Sequence, residues 1–216
     1  MLYLTGASNP GAISAAAQYL NLGLMLQPLS HYEQQMRHYQ HVGIDNGCFS
    51  KGGQFDGWAF LKWIDRLSYR DRCRFVVAPD VFHPDADFDG MVKGETVSIA
   101  EKTLDRSQPY YSAIRARGYP VALVMQNGLQ YLDIPWSNID AVFVGGTTDW
   151  KLSLEACLII REAKSQGKWA HMGRVNSALR LRKAADMGCD SADGTYLKYG
   201  PDTNLKNLKD WLQKNL

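Results

Sequence analysis

The segment WAHMGRVNSALRLRKAADMGCDSADGT, residues Trp169 to Thr195, decides the fold. It reads as a β-type run over Trp169–Gly173, a helical pattern over Ser177–Met187 and a second β-type run over Ser191–Thr195, each run closing on polar or glycine residues. Working outward, the same unit recurs. Strands are expected at Leu2–Thr5, Leu24–Gln27, Val42–Asp45, Phe75–Asp80, Val121–Gln126 and Ala141–Gly145. Between them lie helical patterns at Ala12–Leu20, around His31–Tyr39, and at Gly57–Ser68, Gly94–Arg117 and Lys151–Ser165, with a last one at Asn204–Leu216. In Lys151–Ser165, Leu152, Ala156, Ile159, Ile160 and Ala163 recur near the helical period, which turns one face to a sheet and leaves Lys151, Glu155, Glu162 and Lys164 toward water. Only Gly128–Asp140 breaks the pattern: Pro135 forbids a helix there, so a short turn or 3₁₀ segment is expected.

Alternating β and α units imply a parallel sheet covered by helices, and parallel strands tolerate the continuous apolar runs Phe75–Ala78, Val121–Met125 and Ala141–Val144. Eight such units predict an α/β fold, a compact (β/α)8 barrel of the TIM type. An open doubly wound sheet more often carries a glycine-rich phosphate turn after its first strand, which Thr5-Gly-Ala-Ser-Asn-Pro-Gly11 only loosely imitates. With 216 residues, 45% of them hydrophobic, the chain can bury a real core and leaves no room for a second domain, so residues 1–216 are read as one.

No apolar run approaches the roughly 20 residues of a membrane span. Met1–Gln27 is apolar, but it has no basic residue before Arg37 and is broken at Asn9-Pro10-Gly11, so a cytoplasmic protein without a leader is expected. Cys48, Cys73, Cys157 and Cys189 lie far apart with no C-x-x-C pair; they are expected reduced and mostly buried, in neither a zinc ribbon nor a disulfide framework. His38 and His41 have helical spacing but share a polar stretch with His31, which suits solvated or packed side chains better than ligands. Neither a metal nor a cofactor is expected.

The formal net charge of +2 is unevenly spread. From Arg161 onward eleven basic residues face six acidic ones, so the last third carries +5 and the rest −3. A basic last third suits a phosphate backbone, although solvated helix faces would give the same count.

A barrel of this kind builds its active site at the C-terminal ends of its strands. Those ends supply Asp45 and Asn46, then Asp80, Gln126 and Asn127, Gly145 and Gly146, Gly173 and Arg174, and lastly Asp193. Each alone is an ordinary turn residue. Together, three carboxylates, a glutamine and a Gly-Gly pair on one rim point to a substrate, because converging carboxylates repel unless something is held between them.

These strand-end segments resemble the tRNA-guanine transglycosylase superfamily, including relatives that place 7-deazaguanine bases into DNA. Met172-Gly-Arg-Val-Asn-Ser177 through Ala184-Ala-Asp-Met-Gly-Cys-Asp-Ser-Ala-Asp193 is similar to the family's Met-Gly-Val-Gly motif, following helix and Gly-x-Asp-x-x-Asp nucleophile strand. Ile44-Asp-Asn-Gly-Cys-Phe49 resembles its Asp-Ser-Gly-Gly-Phe, Pro79-Asp80 its second base-binding aspartate, Val124-Met-Gln-Asn-Gly128 its Val-Gln-Gly segment and Val144-Gly-Gly146 its Gly-Gly loop. The resemblance runs from about Val42 to Thr195 and keeps five motifs in order. It implies a (β/α)8 barrel with Asp193 as nucleophile and Asp45 as general acid/base. Asp80 and Gln126 would then read the base edge beside Asn46, and Gly145 and Gly146 would offer N–H groups to a base carbonyl. The cysteine–histidine zinc lobe of tRNA-acting members has no counterpart here, and their Cys-Val-x-Pro-Thr-Arg continuation is replaced by Gly194-Thr-Tyr-Leu-Lys-Tyr-Gly200. The short zinc-free form looks most like DNA-acting relatives of phages and bacterial modification or defence islands, so DNA is the expected partner ahead of tRNA, with a free deazaguanine base as co-substrate.

The chemistry fits those residues. Breaking an N-glycosidic bond creates an oxocarbenium-like C1′ that a carboxylate can capture, while a second, protonated carboxyl assists the departing base. Arg174, Lys198 and Lys151 are candidate phosphate contacts, and Trp136, Trp150, Tyr196 and Tyr199 could stack on a base or pack the rim. Base exchange is the first expectation. Hydrolytic excision of a modified base, a silent nucleobase-binding barrel and an unrelated phosphate-sugar barrel enzyme remain as rivals, and the sequence leaves oligomeric state and strand preference open.

Overall fold

The computed structural model describes residues 1–6, 14, 21–28, 33–48, 55–198 and 201–214. His31, Tyr199 and nearly all of the helix expected at Ala12–Leu20 lie outside the described residues. Eight strands, β1 (Leu2–Thr5), β2 (Leu22–Leu26), β3 (Val42–Ile44), β4 (Cys73–Val77), β5 (Val121–Met125), β6 (Ala141–Val144), β7 (Trp169–Met172) and β8 (Ser191–Gly194), pair in chain order. Every pairing is parallel, and β8 lies beside β1 to close a (β/α)8 barrel.

The described helices are α1 (Gly57–Asp65), α2 (Ile99–Arg115), α3 (Thr148–Lys151), α4 (Leu154–Ser165), α5 (Ala178–Met187) and α6 (Pro201–Lys214). Their ends follow the capping residues. Ser98 and Glu101 form a capping box, so α2 starts at Ile99 rather than at Gly94. Ser153 accepts the Ala156 N–H and begins a new helix, so the expected Lys151–Ser165 is two helices, not one. Gly188, at φ +100°, closes α5 in the left-handed conformation that a side chain disfavours. Around His31–Tyr39 only a 3₁₀ segment, Glu33–His38, is described. Between β5 and β6 two short 3₁₀ turns, Leu129–Tyr131 and Trp136–Asn138, replace a helix, as Pro135 requires.

β3 and β5 to β8 each end one residue short of the expected bounds, and two strands, β2 and β4, depart further, for backbone reasons. Gly23 interrupts the apolar run of β2, which the structure nevertheless begins at Leu22. The β4–β5 ladder ends with the Ala78 N–H on Ala122 O, and Pro79, which follows, has no N–H to offer β3 on the other side. Asp80 therefore stands beyond the strand, at the start of a long connection running to Ser98.

Alternation along the strands sorts the core into two parts. Leu2, Leu4, Met25, Phe75, Val77, Ala122, Val124 and Ala141 fill the barrel interior with Phe143 and Trp169, while the intervening residues pack outward against the helices. This parity positions the site. Continued to Asp193 within β8 and past the ends of the other strands, the inward set carries on to Asp45, Gln126, Gly145 and Gly173. The side chains of the barrel floor thus end, on one rim, in a ring of polar and glycine residues.

Candidate active site

The C-terminal rim encloses a cavity of about 350 Å³, within the range of ordinary small-molecule pockets (~300–1,000 Å³). Asp45, Asp80, Gln126, Gly146, Arg174 and Asp193 are among its lining residues.

Asp193 sits at the inward third position of β8. Its Oδ1 accepts the backbone N–H of Arg174 at 2.9 Å and lies 3.3 Å from His171 Nε2. Both contacts fall on one oxygen, and Oδ2 takes none among the described residues. Arg174 reaches this position only by adopting φ +59°, an uncommon left-handed conformation for a residue with a side chain and a form of strain concentrated at functional sites. Its guanidinium spans to Gly146 O, tying the β7 and β6 ends together over the cavity.

Asp45 follows β3, and its own N–H still bonds Leu26 O at 2.8 Å, which fixes the backbone. Burial pushes its carboxyl from 3.8 up to about 7, the neighbouring Asp80 and Asp193 charges add to the rise, and the Gly47 N–H at 3.2 Å partly opposes it. Asp45 is thus shifted toward its protonated form near neutrality, on the same cavity as the Asp193 carboxylate.

Asn46 is fully engaged inside the wall: its Nδ2 donates to Ala78 O at 2.8 Å and Asp80 Oδ1 at 3.0 Å, and its Oδ1 accepts the Cys48 N–H at 2.7 Å. It orients Asp80 instead of reading a base. Burial raises the Asp80 carboxyl, whereas the Asn46 contact lowers it. Gln126 Nε2 donates to Val81 O at 2.9 Å, Ile99 O at 3.2 Å and the Thr103 hydroxyl, so Oε1 is the atom it can present to a ligand. The two glycines differ. The Gly145 N–H extends the ladder to Met125 O at 2.8 Å and is not available to a base, correcting the expectation that both would donate. The Gly146 N–H has no partner among the described residues.

Gly146 also tolerates a side chain poorly. Its φ is +69°, and a Cβ would stand 2.7 Å from Asn127 Oδ1 and 3.1 Å from the Trp150 ring. Gly146→Ala is expected to destabilise the protein by about 1–3 kcal/mol, as denaturant unfolding would measure, while also narrowing the cavity.

Several expectations for the rim are corrected. Lys151 is 1% exposed, and its Nζ donates to Gly173 O at 2.7 Å, so it cannot meet a phosphate or face water as the helical pattern suggested. Burial first, then Arg174 and Arg180, push its ammonium down to about 8. Lys198 and Arg174 do stand exposed at the mouth. Trp150 is fully buried with its indole N–H on Gln130, and Tyr196 stacks on Trp211 at 4.5 Å. Trp136 precedes β6 and bonds Glu162, at the opposite end of the barrel. The aromatic ring lining the upper cavity is instead Phe82, 37% exposed, on the connection after β4.

The cysteines are free, three of them buried, and burial pushes the Cys48, Cys73 and Cys189 thiols up to about 12. Arg37 donates to His38 and Arg74 to His41. Among the described residues no group of three or more His, Cys, Asp or Glu could hold a metal ion, and no helix is long and apolar enough to cross a membrane. The sequence reading missed His171, which is 0% exposed on β7 beneath Asp193. The signal was available: counting back by two from Gly173 puts it inward, and it pairs in register with Ser191.

No protein-family model matches the chain, and no curated protein does. Among solved structures it is similar to a mandelate oxidase mutant with benzaldehyde, with TM-score 0.58 and 15% identity over 94% of this chain and 66% of that one. Mandelate oxidase with (S)-2-phenylpropionate gives TM-score 0.57 and 13% identity over 100% and 72% of the two chains. At such identities the likeness is one of barrel architecture.

Proposed function

We propose that the protein is an N-glycosidic-bond enzyme acting on DNA, which exchanges guanine for a 7-deazaguanine base through a covalent glycosyl-enzyme. The observation that carries this reading is that Asp193, with one oxygen held and the other without a partner among the described residues, lines the same cavity as Asp45, whose carboxyl burial pushes up to about 7. Asp193 Oδ2 attacks C1′ as the C1′–N9 bond breaks, the bond's electron pair leaves with the base, and Asp45 supplies its proton. The Asp45 carboxylate then takes the proton from the N9–H of the incoming base, whose N9 attacks C1′ and releases Asp193. Atoms and charge return to their starting state.

The walls suit a guanine-type edge. Gln126 Oε1 and Asp80 present acceptors to ring N–H and amino donors, and Gly146 N–H presents a donor to the carbonyl. Phe82 offers a face for stacking. Because the cavity lies below the rim, a nucleotide in duplex DNA must leave the stack to enter, at a cost of roughly a few kcal/mol recovered from these contacts. The resemblance to DNA-acting relatives favours DNA over tRNA.

Incubating the protein with ordinary and modified phage DNA and analysing released base, incorporated base and abasic sites by mass spectrometry tests the reading. Incorporation of an added deazaguanine with release of guanine is the expected result. Abasic sites formed without any added base would move the assignment to a glycosylase, and neither product would reject it. Binding provides a second check. Affinity for DNA should fall with salt at a log–log slope of about −0.9 per phosphate contacted, and Lys198→Ala should reduce the slope by about one contact. A flat salt response would point to a free nucleoside.

A further inference from the structure

A line of hydrogen bonds runs up the centre of the barrel and ends on Asp193. Trp169 Nε1 donates to Ser191 Oγ at 2.8 Å, Ser191 Oγ lies 2.8 Å from His171 Nδ1, and His171 Nε2 lies 3.3 Å from Asp193 Oδ1. The residues come from neighbouring strands at matched heights, with His171 paired to Ser191. The His171 ring is closed between Phe75 and Phe143, whose centroids are 4.8 and 4.9 Å away. Neither His171 nor Ser191 is exposed at all.

The direction of the line follows from what each group can do. An indole N–H only donates and a carboxylate only accepts, so both ends are fixed. A neutral His171 must then carry its one proton on Nε2 to meet Asp193, which leaves Nδ1 bare. Ser191 accepts from Trp169 and gives its own proton to Nδ1. The opposite tautomer would set a lone pair on Nε2 against the carboxylate and leave the Ser191 proton without its acceptor. In a dry interior each such mismatch leaves a polar group to bear its full desolvation penalty.

We propose that His171, held as its Nε2–H tautomer by Ser191 and Trp169, is the positioning residue that pins Asp193 Oδ1 and presents Oδ2 to the substrate. Together with the Arg174 N–H it fixes the carboxylate from two directions, so the bare oxygen keeps one heading. The same two donors stabilise the carboxylate when C1′ leaves it in the second half of the reaction. The catalytic consequence rests on the glycosidic reading; the tautomer and the pinned carboxylate do not.

The test uses the intact protein with ¹⁵N-labelled histidine. Nitrogen NMR should show the His171 ring protonated at Nε2 alone, and Ser191→Ala should mix the tautomers. In base-exchange assays His171→Leu should lower kcat about 100-fold, the scale of an ångström misplacement of a reacting group, with KM changed less than about threefold. His171→Gln, which keeps an N–H toward Asp193, should recover much of that loss. If His171→Leu fails to fold, Ser191→Ala carries the kinetic test, with kcat expected to fall about tenfold. A ring protonated on Nδ1 or on both nitrogens would overturn the proposal, as would His171→Leu with kcat within twofold of the wild type. Absence of any base chemistry in the wild type would defeat the glycosidic reading and leave the ring nitrogens to decide this one.

Discussion

Asp193→Asn is expected to abolish turnover, by at least about 10⁴-fold in kcat, while folding and DNA affinity stay close to those of the wild type. The geometry explains why the two effects separate. Both donors that hold the carboxylate, the Arg174 N–H and the His171 Nε2–H, fall on Oδ1, which an asparagine retains. The amide nitrogen replaces only Oδ2, the oxygen that would bond to C1′, and it offers neither charge nor a usable lone pair. A denaturation-resistant protein–DNA adduct should form with the wild type, disappear on adding an acceptor base and be missing from Asp193→Asn. Full activity in the variant would remove the nucleophile and the family resemblance built on it.

Much of this site was legible because the barrel has a simple parity. Once a run such as Val121–Met125 is read as a parallel strand, its end and its inward face follow, and Gln126 is placed without any coordinates. The same holds for Asp45 and Asp193. What escaped lies in bonds that parity does not encode. Gly145 and Gly146 look equivalent in sequence, yet the β5–β6 ladder runs one residue past the strand and takes the first N–H. Lys151 looked like a surface residue of a long helix until Ser153 capped a new one and turned it inward. His171 hid because a histidine in an apolar strand reads as core. Only its neighbours Ser191 and Asp193, on the next strand, give it a direction.

Asp45→Asn should lower activity and raise stability together. Its carboxyl is pushed from 3.8 up to about 7 chiefly by burial, so the folded chain binds the proton more tightly than the unfolded chain does. Stability from this group therefore declines as pH rises from about 4 to about 7, and the deficit is complete above 7. Removing the charge should stabilise the protein at pH 8, by about 2 kcal/mol once partial exposure is allowed for, with the gain vanishing toward pH 4. Activity should fall by about 10²–10⁴-fold, least for bases that leave readily without a proton, because acid assistance then matters less. In the wild type the acid-assisted step should lose rate as pH climbs through about 7, and the variant should lack that limb. Unfolding curves at pH 8 and pH 4, set beside pH–rate profiles of both proteins, measure the two effects together. Equal stability at pH 8 with an unchanged alkaline limb would remove Asp45 from the role of acid. A group whose ionised form costs stability, and whose proton the first step needs, is best explained by a site built to keep a proton ready for its substrate.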